Sequence, residues 1–480
     1  MKGISLFSSA GIAELLFNEL DIEIVLANEL LEKRAKFYKD YHENKNIIVG
    51  DIKDKKVKDE IYKYLDQDIE FLMATPPCQG VSNLGKNKSQ EAMIEDDRNF
   101  LIFDVMEIID KFDFKYILIE NVPRYLKMYF PYKKKHLLLE DILKKKYGGK
   151  YEIDVKVLNS KDYGVPQNRE RAIIKIYKKG LKWEDPIKET EINLKKAIGK
   201  LPTLESGETS KIKYHFARNH TEEHILSMSH TPTGKSAFQN EVYYPKKKTG
   251  EKVKGFHNTY KRLNWEQPCH ARTMNSGSIG SHNNVHPGRK RKDGTYTDAR
   301  VLTLLELFIV SSIPLSIEID LEKYSENFMR HIIGEAIPPL MMYKILKKIE
   351  TSSLKNHLTN LGYQTHDVAL QEMQNSSVLL MTNFPQESSK GIIPGKIFEY
   401  LATGKTILSF GPKDADVEKI LNETKAGKYF DYEAKESLKQ FILDSYQSWK
   451  SGNLENNAEN IEQFSRKNLT KNLVDLLNQL

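Results

Sequence analysis

The stretch Ile-Glu-Phe-Leu-Met-Ala-Thr-Pro-Pro-Cys-Gln-Gly-Val-Ser, residues 69–82, decides the fold. Its apolar run, residues 71–74, is typical of a strand that is buried on both faces of a parallel sheet. Pro76 and Pro77 then fix two backbone φ angles and remove two amide donors, so the strand must end before them. Cys78 follows directly, at the sheet edge where open α/β folds bind ligands. The stretch therefore predicts an α/β fold with either a reactive thiol or a simply buried cysteine at this edge.

The chain before this stretch predicts three more strands of the same sheet. The first, residues 3–7, leads into the small-residue turn at 8–11, where a ligand can approach the backbone, and a helix is expected from near Ile12. The second and third strands end at Glu29 and Asp51. An acid at the end of the second strand can accept hydrogen bonds from ribose hydroxyls. Two acids at neighbouring strand ends therefore predict an adenosine pocket.

Charged side chains follow at the same predicted edge of the sheet. A fifth strand, residues 116–119, is followed directly by Glu120. An acid beside the Cys78 thiol in a cleft suits general acid–base chemistry. Further along, Arg169 and Arg171 come directly before a predicted strand, residues 172–177, and alternate on one face at a period of two residues. Two such guanidinium groups side by side can hold a phosphate or a carbonyl oxygen.

Composition restricts the class of protein. A chain of 480 residues is too long for one ordinary core, so two or three domains are expected. The N-terminus lacks the layout of a signal peptide, and no apolar run approaches the roughly 18 residues of a membrane span. The two cysteines, Cys78 and Cys269, cannot form a disulfide framework, and no metal-ligand spacing occurs. We therefore expect a cytoplasmic protein without a membrane segment or a metal.

Positive charge is concentrated in the front of the chain. The net charge is +7, yet residues 351–480 carry 14 Lys and Arg against 16 Asp and Glu. Residues 181–299 lose regular periodicity and contain basic runs at 246–248 and 289–292. This segment is either a floppy insertion or a small irregular module that binds nucleic acid.

Taken together, residues 1–350 resemble a prokaryotic DNA cytosine-5 methyltransferase. The resemblance depends on seven motifs in one order, which jointly are highly specific: Phe7-Ser8-Ser9-Ala10-Gly11, Glu29 and Asp51, Pro76-Pro77-Cys78-Gln79, Glu120-Asn121-Val122, Gln167-x-Arg169-x-Arg171, Arg300-x-Leu302-Thr303, and residues 334–339. The chain departs from the family pattern at three places. Ser5 replaces the usual Asp, Ile12-Ala13 replaces a doubled Gly, and Glu335 replaces the usual Asn.

The resemblance implies a reaction for the thiol. S-Adenosyl-L-methionine would be the methyl donor, and the target cytosine would be flipped out of the duplex. Cys78 would attack C6 as a thiolate, and Glu120 would bond and protonate N3. Arg169 would contact the base oxygen or help orient Cys78, and Asn121 would support the local geometry. The cofactor would be bound by Phe7, Gly11, Ile12, Glu29, Asp51, Ile52 and Pro76.

The resemblance also implies the organisation of the chain. Residues 1–180 and 300–350 would form a Rossmann-like α/β catalytic domain, and residues 181–299 would be the target recognition domain. The protein would act as a monomer on a specific sequence of double-stranded DNA, paired functionally with a restriction endonuclease. The competing hypotheses are the same chemistry on RNA, a nucleotide-sugar glycosyltransferase supported only by the tail of the chain, and a catalytically silent DNA-binding protein. The basic segment favours duplex DNA over RNA, and the presence of Cys78 and Glu120 opposes the silent reading.

The tail, residues 351–480, lies outside this pattern. Its alternation of strands and helices predicts a small α/β segment that resembles the last part of the nucleotide-sugar domain of a GT-B glycosyltransferase. In that family Lys396 and Glu399 would lie near the diphosphate and the ribose. Because the acceptor domain and the first strands of the donor domain are missing, we expect a fragment without glycosyltransferase activity. A spacer or dimerisation module is the alternative.

Overall fold

The computed structural model describes the whole chain except residues 21, 43–45, 65–67, 78–96, 241, 248, 350–358, 360, 455–457 and 480. The chain divides into two compact units, Met1–Asn356 and His357–Leu480. Among the described helices, none combines the length and hydrophobicity that crossing a lipid bilayer requires.

A seven-stranded sheet forms the centre of the first unit, in the order β3-β2-β1-β4-β5-β10-β8. Strands β1 to β5 run parallel, whereas β10 is antiparallel to both β5 and β8. The chain winds in opposite directions on the two sides of β1 and β4, which makes their carboxyl ends a topological switch point. The seven strands of this sheet are β1 (Lys2–Leu6), β2 (Glu23–Glu29), β3 (Ile47–Val49), β4 (Ile69–Ala74), β5 (Tyr116–Asn121), β8 (Tyr151–Asn159) and β10 (Glu170–Lys178). Two separate two-stranded sheets are formed by β6 (Tyr129–Tyr132) with β7 (Lys135–Leu138) and by β9 (Gln167–Asn168) with β11 (Cys269–His270).

Helices cover both faces of this sheet, which explains the uninterrupted apolar run of β4. Leu72 and Ala74 pack on one face, with α2, α3 and α4. Phe71 and Met73 pack on the other, with α9, which comes from the far side of the irregular segment. The helices of this unit are α1 (Glu32–Tyr41), α2 (Lys55–Tyr62), α3 (Ile102–Ile109), α4 (Leu139–Tyr147), α5 (Leu194–Ile198), α6 (Glu222–Ser229), α7 (Leu304–Val310), α8 (Glu326–Glu335) and α9 (Pro339–Leu346).

Residues 181–299 fold compactly but with little regular structure. Buried arginines provide the donors that a sheet would otherwise supply. Arg262 donates to the carbonyls of Met228, His286 and Asp298, and Arg300 forms buried ion pairs with Asp298 and Glu306. A buried guanidinium must have all its donors satisfied, so these residues fix the paths of several loops at once.

Two local predictions were wrong. Instead of a helix from Ile12, the chain makes two short 3₁₀ turns, Ile12–Glu14 and Phe17–Glu19, because Ile12 and Phe17 pack into different cores that one helical face could not serve. Arg169 does not share a strand with Arg171, because β9 ends at Asn168 and β10 begins at Glu170.

The second unit is a separate small α/β fold. Its parallel sheet has the order β12-β13-β14, with strands β12 (Val378–Thr382), β13 (Thr406–Phe410) and β14 (Gly427–Phe430). Helices α10 (His366–Asn375), α11 (Lys396–Ala402), α12 (Asp416–Thr424), α13 (Lys435–Lys450) and α14 (Arg466–Leu477) complete it. The alternation of strands and helices agrees with the expected α/β segment, whereas its likeness to a nucleotide-sugar domain stays a prediction.

Candidate active site

A cleft of about 1790 Å³ opens at the carboxyl ends of β1 to β5. Among the predicted site residues that the structure describes, only Gly11 does not line this cleft. Those that line it are Phe7, Ile12, Glu29, Asp51, Ile52, Pro76, Glu120 and Arg169. The predicted nucleophile, Cys78, lies outside the described residues. The opposite wall comes from the irregular segment and includes residues 256–258 and 270–274.

Glu29 is held rigidly at one end of the cleft. Its two carboxylate oxygens accept hydrogen bonds from the backbone amides of Ser9 and Leu31, each at 2.9 Å. Burial raises the pKa of Glu29, while these amides and the charge of Arg34 oppose the shift. The amide bonds use one lone pair of each oxygen and leave further acceptor capacity for hydroxyl donors.

The turn after β1 is supported from below by a second buried acid. Ser5 Oγ and Tyr38 Oη both donate to Glu14, at 2.6 Å each, and burial raises the pKa of Glu14 to about 7. The carboxylate under the turn thus comes from Glu14, while Ser5 occupies the position of the family aspartate. Gly11 has a φ of 71°, and a side chain there would overlap His42 and Tyr38. Only glycine fits this position without rearrangement.

Glu335 also contacts this turn, from the end of α8. It accepts a hydrogen bond from Ser9 Oγ at 2.7 Å and one from Arg34 Nη2 at 2.9 Å. Arg34 lies farther from Glu29, with 3.9 Å between Nη1 and Oε1. Glu335 therefore holds the arginine beside Glu29 while drawing its charge away from that carboxylate.

The remaining cofactor candidates lie at the next strand end. Asp51 follows β3 with an exposed side chain and accepts a hydrogen bond from the amide of Lys53 at 2.9 Å. Ile52 is buried at 2% exposure and presents an apolar surface to the cleft. An exposed acceptor beside an apolar wall suits a polar heterocycle such as adenine.

The corner that leads to Cys78 is held by hydrogen bonds as far as Pro76. Asn121 Nδ2 donates to the carbonyl of Pro76 at 3.1 Å, and Thr75 Oγ1 donates to the carbonyl of Phe7 at 2.9 Å. Asn121 is buried, and its Oδ1 accepts from the amide of Val122. The ends of β1, β4 and β5 are thereby joined directly before the predicted nucleophile.

Glu120 forms an ion pair inside the cleft. Its Oε1 lies 2.7 Å from Nε of Arg171, and each side chain is 12% exposed. Burial raises the pKa of Glu120, and the positive charges of Arg171 and Arg169 partly oppose this shift. An acid with a raised pKa can exchange a proton with a bound ring nitrogen.

Arg169 has a different environment from that of its neighbour. Its guanidinium donates to the backbone carbonyls of Arg272, Gly334 and Glu335, at 2.8, 3.0 and 2.8 Å. It is buried at 3% exposure. Arg169 therefore connects the sheet to both the irregular segment and the end of α8, whereas Arg171 is the arginine that contacts Glu120.

Gly334 brings the two walls of the cleft together. A side chain at this position would overlap the backbone of Thr273 and Met274. The end of α8 therefore contacts the irregular segment at backbone distance. Because Arg169 donates to carbonyls on both of these segments, it fixes the width of the cleft at this point.

Sequence reasoning predicted the roles of Arg171 and Asn121 only in part and missed Arg34. Arg171 was expected to hold a phosphate or a carbonyl oxygen beside Arg169, whereas in the structure it pairs with Glu120. Asn121 was expected to support the local geometry, and its Nδ2 donates to the carbonyl of Pro76. Arg34 gave no signal at all, because its partner Glu335 lies 301 positions away.

Comparisons with known proteins agree with this geometry. The family model of C-5 cytosine-specific DNA methylases matches residues 1–351. The type II methyltransferase M1.HgaI of Avibacterium volantium is 45% identical over 350 residues, which cover 73% of this chain and 98% of that protein. M1.HphI of Haemophilus parahaemolyticus, also a type II methyltransferase, is 26% identical over 350 residues, covering 72% and 86%.

A solved structure shares the fold. A prophage-encoded protein of E. coli superposes with a TM-score of 0.52 at 17% sequence identity, covering 74% of this chain and 99% of that one. The predicted resemblance of residues 1–350 is confirmed by the family match. This chain belongs to the C-5 cytosine-specific DNA methylase family and is a cytosine-5 DNA methyltransferase.

Proposed function

We propose that the chain methylates C5 of a cytosine flipped out of a specific duplex DNA sequence, as the methylase of a restriction–modification system. The observation that supports this most is the single cleft that contains both Glu29, held by backbone amides, and Glu120, paired with Arg171. Glu29 suits a ribose, and the pair of Glu120 and Arg171 suits a heterocyclic base. Both lie at one edge of the sheet, in the same cleft as Pro76.

The residues at the Glu29 end fit S-adenosyl-L-methionine. Glu29 offers free acceptor capacity for the ribose hydroxyls, and Asp51 with Ile52 offers a polar and an apolar contact for adenine. Phe7, Ile12 and Pro76 would complete this pocket, and Gly11 would shape the turn beside it. When bound, this cofactor supplies the electrophilic methyl group.

The chain's own residues would carry the other steps. Cys78 forms a bond from sulfur to C6 of the cytosine, while Glu120 delivers a proton to N3, so negative charge does not accumulate on the ring. After methylation at C5, the C5 proton is lost to a base and the carbon–sulfur bond breaks, which restores the thiolate. Arg171 holds the Glu120 carboxyl in place, and Arg169 acts through the backbone carbonyls that shape the cleft.

Residues 181–299 would recognise the DNA sequence. Phe256 lines the cleft with 73% of its surface exposed, next to His257 and Asn258, which can contact base edges. An exposed aromatic ring on a basic segment suits stacking against a base. We further propose that the protein acts as a monomer in the cytoplasm and pairs functionally with a restriction endonuclease that cuts the same sequence.

Expression in a host without cytosine methylation tests the function. We expect bisulfite sequencing of the host DNA to show protected cytosines in one consistent sequence context, because a C5 methyl group blocks bisulfite deamination. The same host with an empty vector is the control. Protection in RNA alone would move the activity to RNA, and the absence of any consistent context would contradict the proposal.

Glu335→Gln is expected to weaken cofactor binding about three- to tenfold, with kcat little changed. The substitution keeps an acceptor for Ser9 but removes the charge that draws Arg34 from Glu29. The arginine would then pair with Glu29 and compete with the ribose, at a cost of roughly 1 kcal/mol. Titration calorimetry with S-adenosyl-L-methionine measures the effect. Glu322→Gln, which removes an exposed charge on the same unit, is the control, and equal affinities in both variants would contradict the role.

A further inference from the structure

A basic β-hairpin follows the catalytic strand β5 and has no role in the chemistry described above. Strands β6 and β7 pair in antiparallel register, with Tyr129 opposite Leu138 and Tyr132 opposite Lys135. The tip is the sequence Lys133-Lys134-Lys135, whose side chains are all exposed, and Lys133 has a positive φ of 55°. His136 extends the polar surface.

The hairpin is anchored in the hydrophobic core by Phe130. Phe130 is fully buried, and its ring lies 5.2 Å from that of Tyr125 and 6.0 Å from that of Phe100, between centroids. Because side chains alternate along a strand, Tyr129 points the other way and is 52% exposed. The lysines are therefore carried on a fixed platform, which lowers the entropy lost when they bind a ligand.

These lysines lack acidic partners within the described part of the chain. No ion pair is formed there by Lys133, Lys134 or Lys135. The next lysine run, on α4, differs in this respect, because Lys144 pairs with Glu140 at 2.6 Å and Lys146 with Asp110 at 2.5 Å. Two of the three consecutive lysines on the helix are thus neutralised, whereas the three on the hairpin form no ion pair with a described residue.

The segment that connects the cleft to the hairpin carries two further basic residues. Arg124 and Lys127 line the cleft on the segment that leaves Glu120, and β6 begins at Tyr129. Four residues of strand span roughly 13 Å. Successive phosphates of one DNA strand advance by about 3.4 Å along the helix axis, so this length corresponds to the axial advance of about four nucleotides.

We infer that the hairpin Tyr129–Leu138 binds the phosphate backbone of duplex DNA beside the target cytosine, outside both the catalytic cleft and residues 181–299. This rests on the proposed action on duplex DNA. The contact carries no sequence information, and it adds affinity and fixes the orientation of the duplex. Each lysine that contacts a phosphate releases counterions and steepens the salt dependence of binding.

The test compares two triple variants of the full chain that lose the same charge. One is Lys133→Gln with Lys134→Gln and Lys135→Gln, and the control is Lys144→Gln with Lys145→Gln and Lys146→Gln. Fluorescence anisotropy gives Kd for a labelled 30-base-pair duplex over a range of KCl concentrations. We expect the slope of log Kd against log salt to fall by about 2 to 3 in the hairpin variant, at roughly 0.9 per phosphate contact, and to stay unchanged in the control.

Two further measurements separate the possible failures. The corresponding triple Lys→Arg variant of the hairpin should keep the wild-type slope, and melting curves check that each variant is folded. If the wild-type protein binds the duplex with a steep slope and the hairpin variant behaves identically, the inference is wrong while DNA methylation stands. If both triple variants lose the same slope, the effect is one of general charge, which also overturns it. A wild-type protein that does not bind duplex DNA would instead contradict the proposed function.

Discussion

Replacing Cys78 with Ser is expected to abolish methyl transfer, by at least about a thousandfold, because the attacking group must be an anion at neutral pH. A thiol ionises near pH 8.5 and lower beside positive charge, whereas a hydroxyl does not ionise in this range. Cofactor binding should be retained, since the groups proposed to hold the ribose and adenine lie on β2 and after β3. Transfer of labelled methyl groups to DNA and titration calorimetry measure the two properties separately.

Cys269 provides the matched control for this substitution. It is the other cysteine of the chain, it is fully buried, and burial raises the pKa of its thiol. Cys269→Ser should keep most of the activity. A duplex with 5-fluorocytosine at the target should trap a covalent complex with wild type and Cys269→Ser but not with Cys78→Ser, since fluorine cannot leave C5 as a cation. Trapping by Cys78→Ser would place the nucleophile elsewhere.

The sequence predicted well those parts of the fold in which apolar and polar residues follow the regular pattern of a strand. Residues 71–74 are apolar because both faces of β4 are covered, and the structure confirms this with exposures of 1% or less. The acids Glu29, Asp51 and Glu120 were predicted at one edge because the carboxyl ends of parallel strands share an edge. Such inferences need only local patterns and the rules of parallel sheets.

What the sequence could not predict depends on contacts between distant segments. Arg169 and Arg171 are two positions apart and look equivalent, yet one donates to carbonyls of residues 272 and 334 and the other to Glu120. They differ because the strand is interrupted between β9 and β10, and the alternation of residues in the sequence gives no sign of this interruption. The structure of residues 181–299 could not be predicted either. Buried arginines such as Arg262 bond the backbone carbonyls there, so the segment lacks the regular secondary structure that a periodic sequence would indicate.

Glu120→Gln is expected to lower kcat by about 10²- to 10⁴-fold, the usual contribution of general acid–base catalysis. Glutamine can donate a hydrogen bond to N3 but cannot deliver a proton. Burial raises the pKa of Glu120, so its acid form persists to higher pH than that of an exposed glutamate. Activity that needs this acid falls as pH rises through its pKa. Glu120→Gln should lack this falling limb, which the pH profile of kcat measures.

A stability effect must be separated from the chemical one. Removing the charge of Glu120 leaves Arg171 without its partner in a site where each side chain is 12% exposed, so the variant should also melt at a lower temperature. Glu120→Asp keeps the acid and should retain the falling limb at reduced kcat, whereas the exposed Glu152→Gln should change neither property. A folded Glu120→Gln protein with a wild-type pH profile would show that the proton at N3 comes from another group. Glutamine has no acid that could titrate, so a falling limb that persists in this variant cannot belong to residue 120.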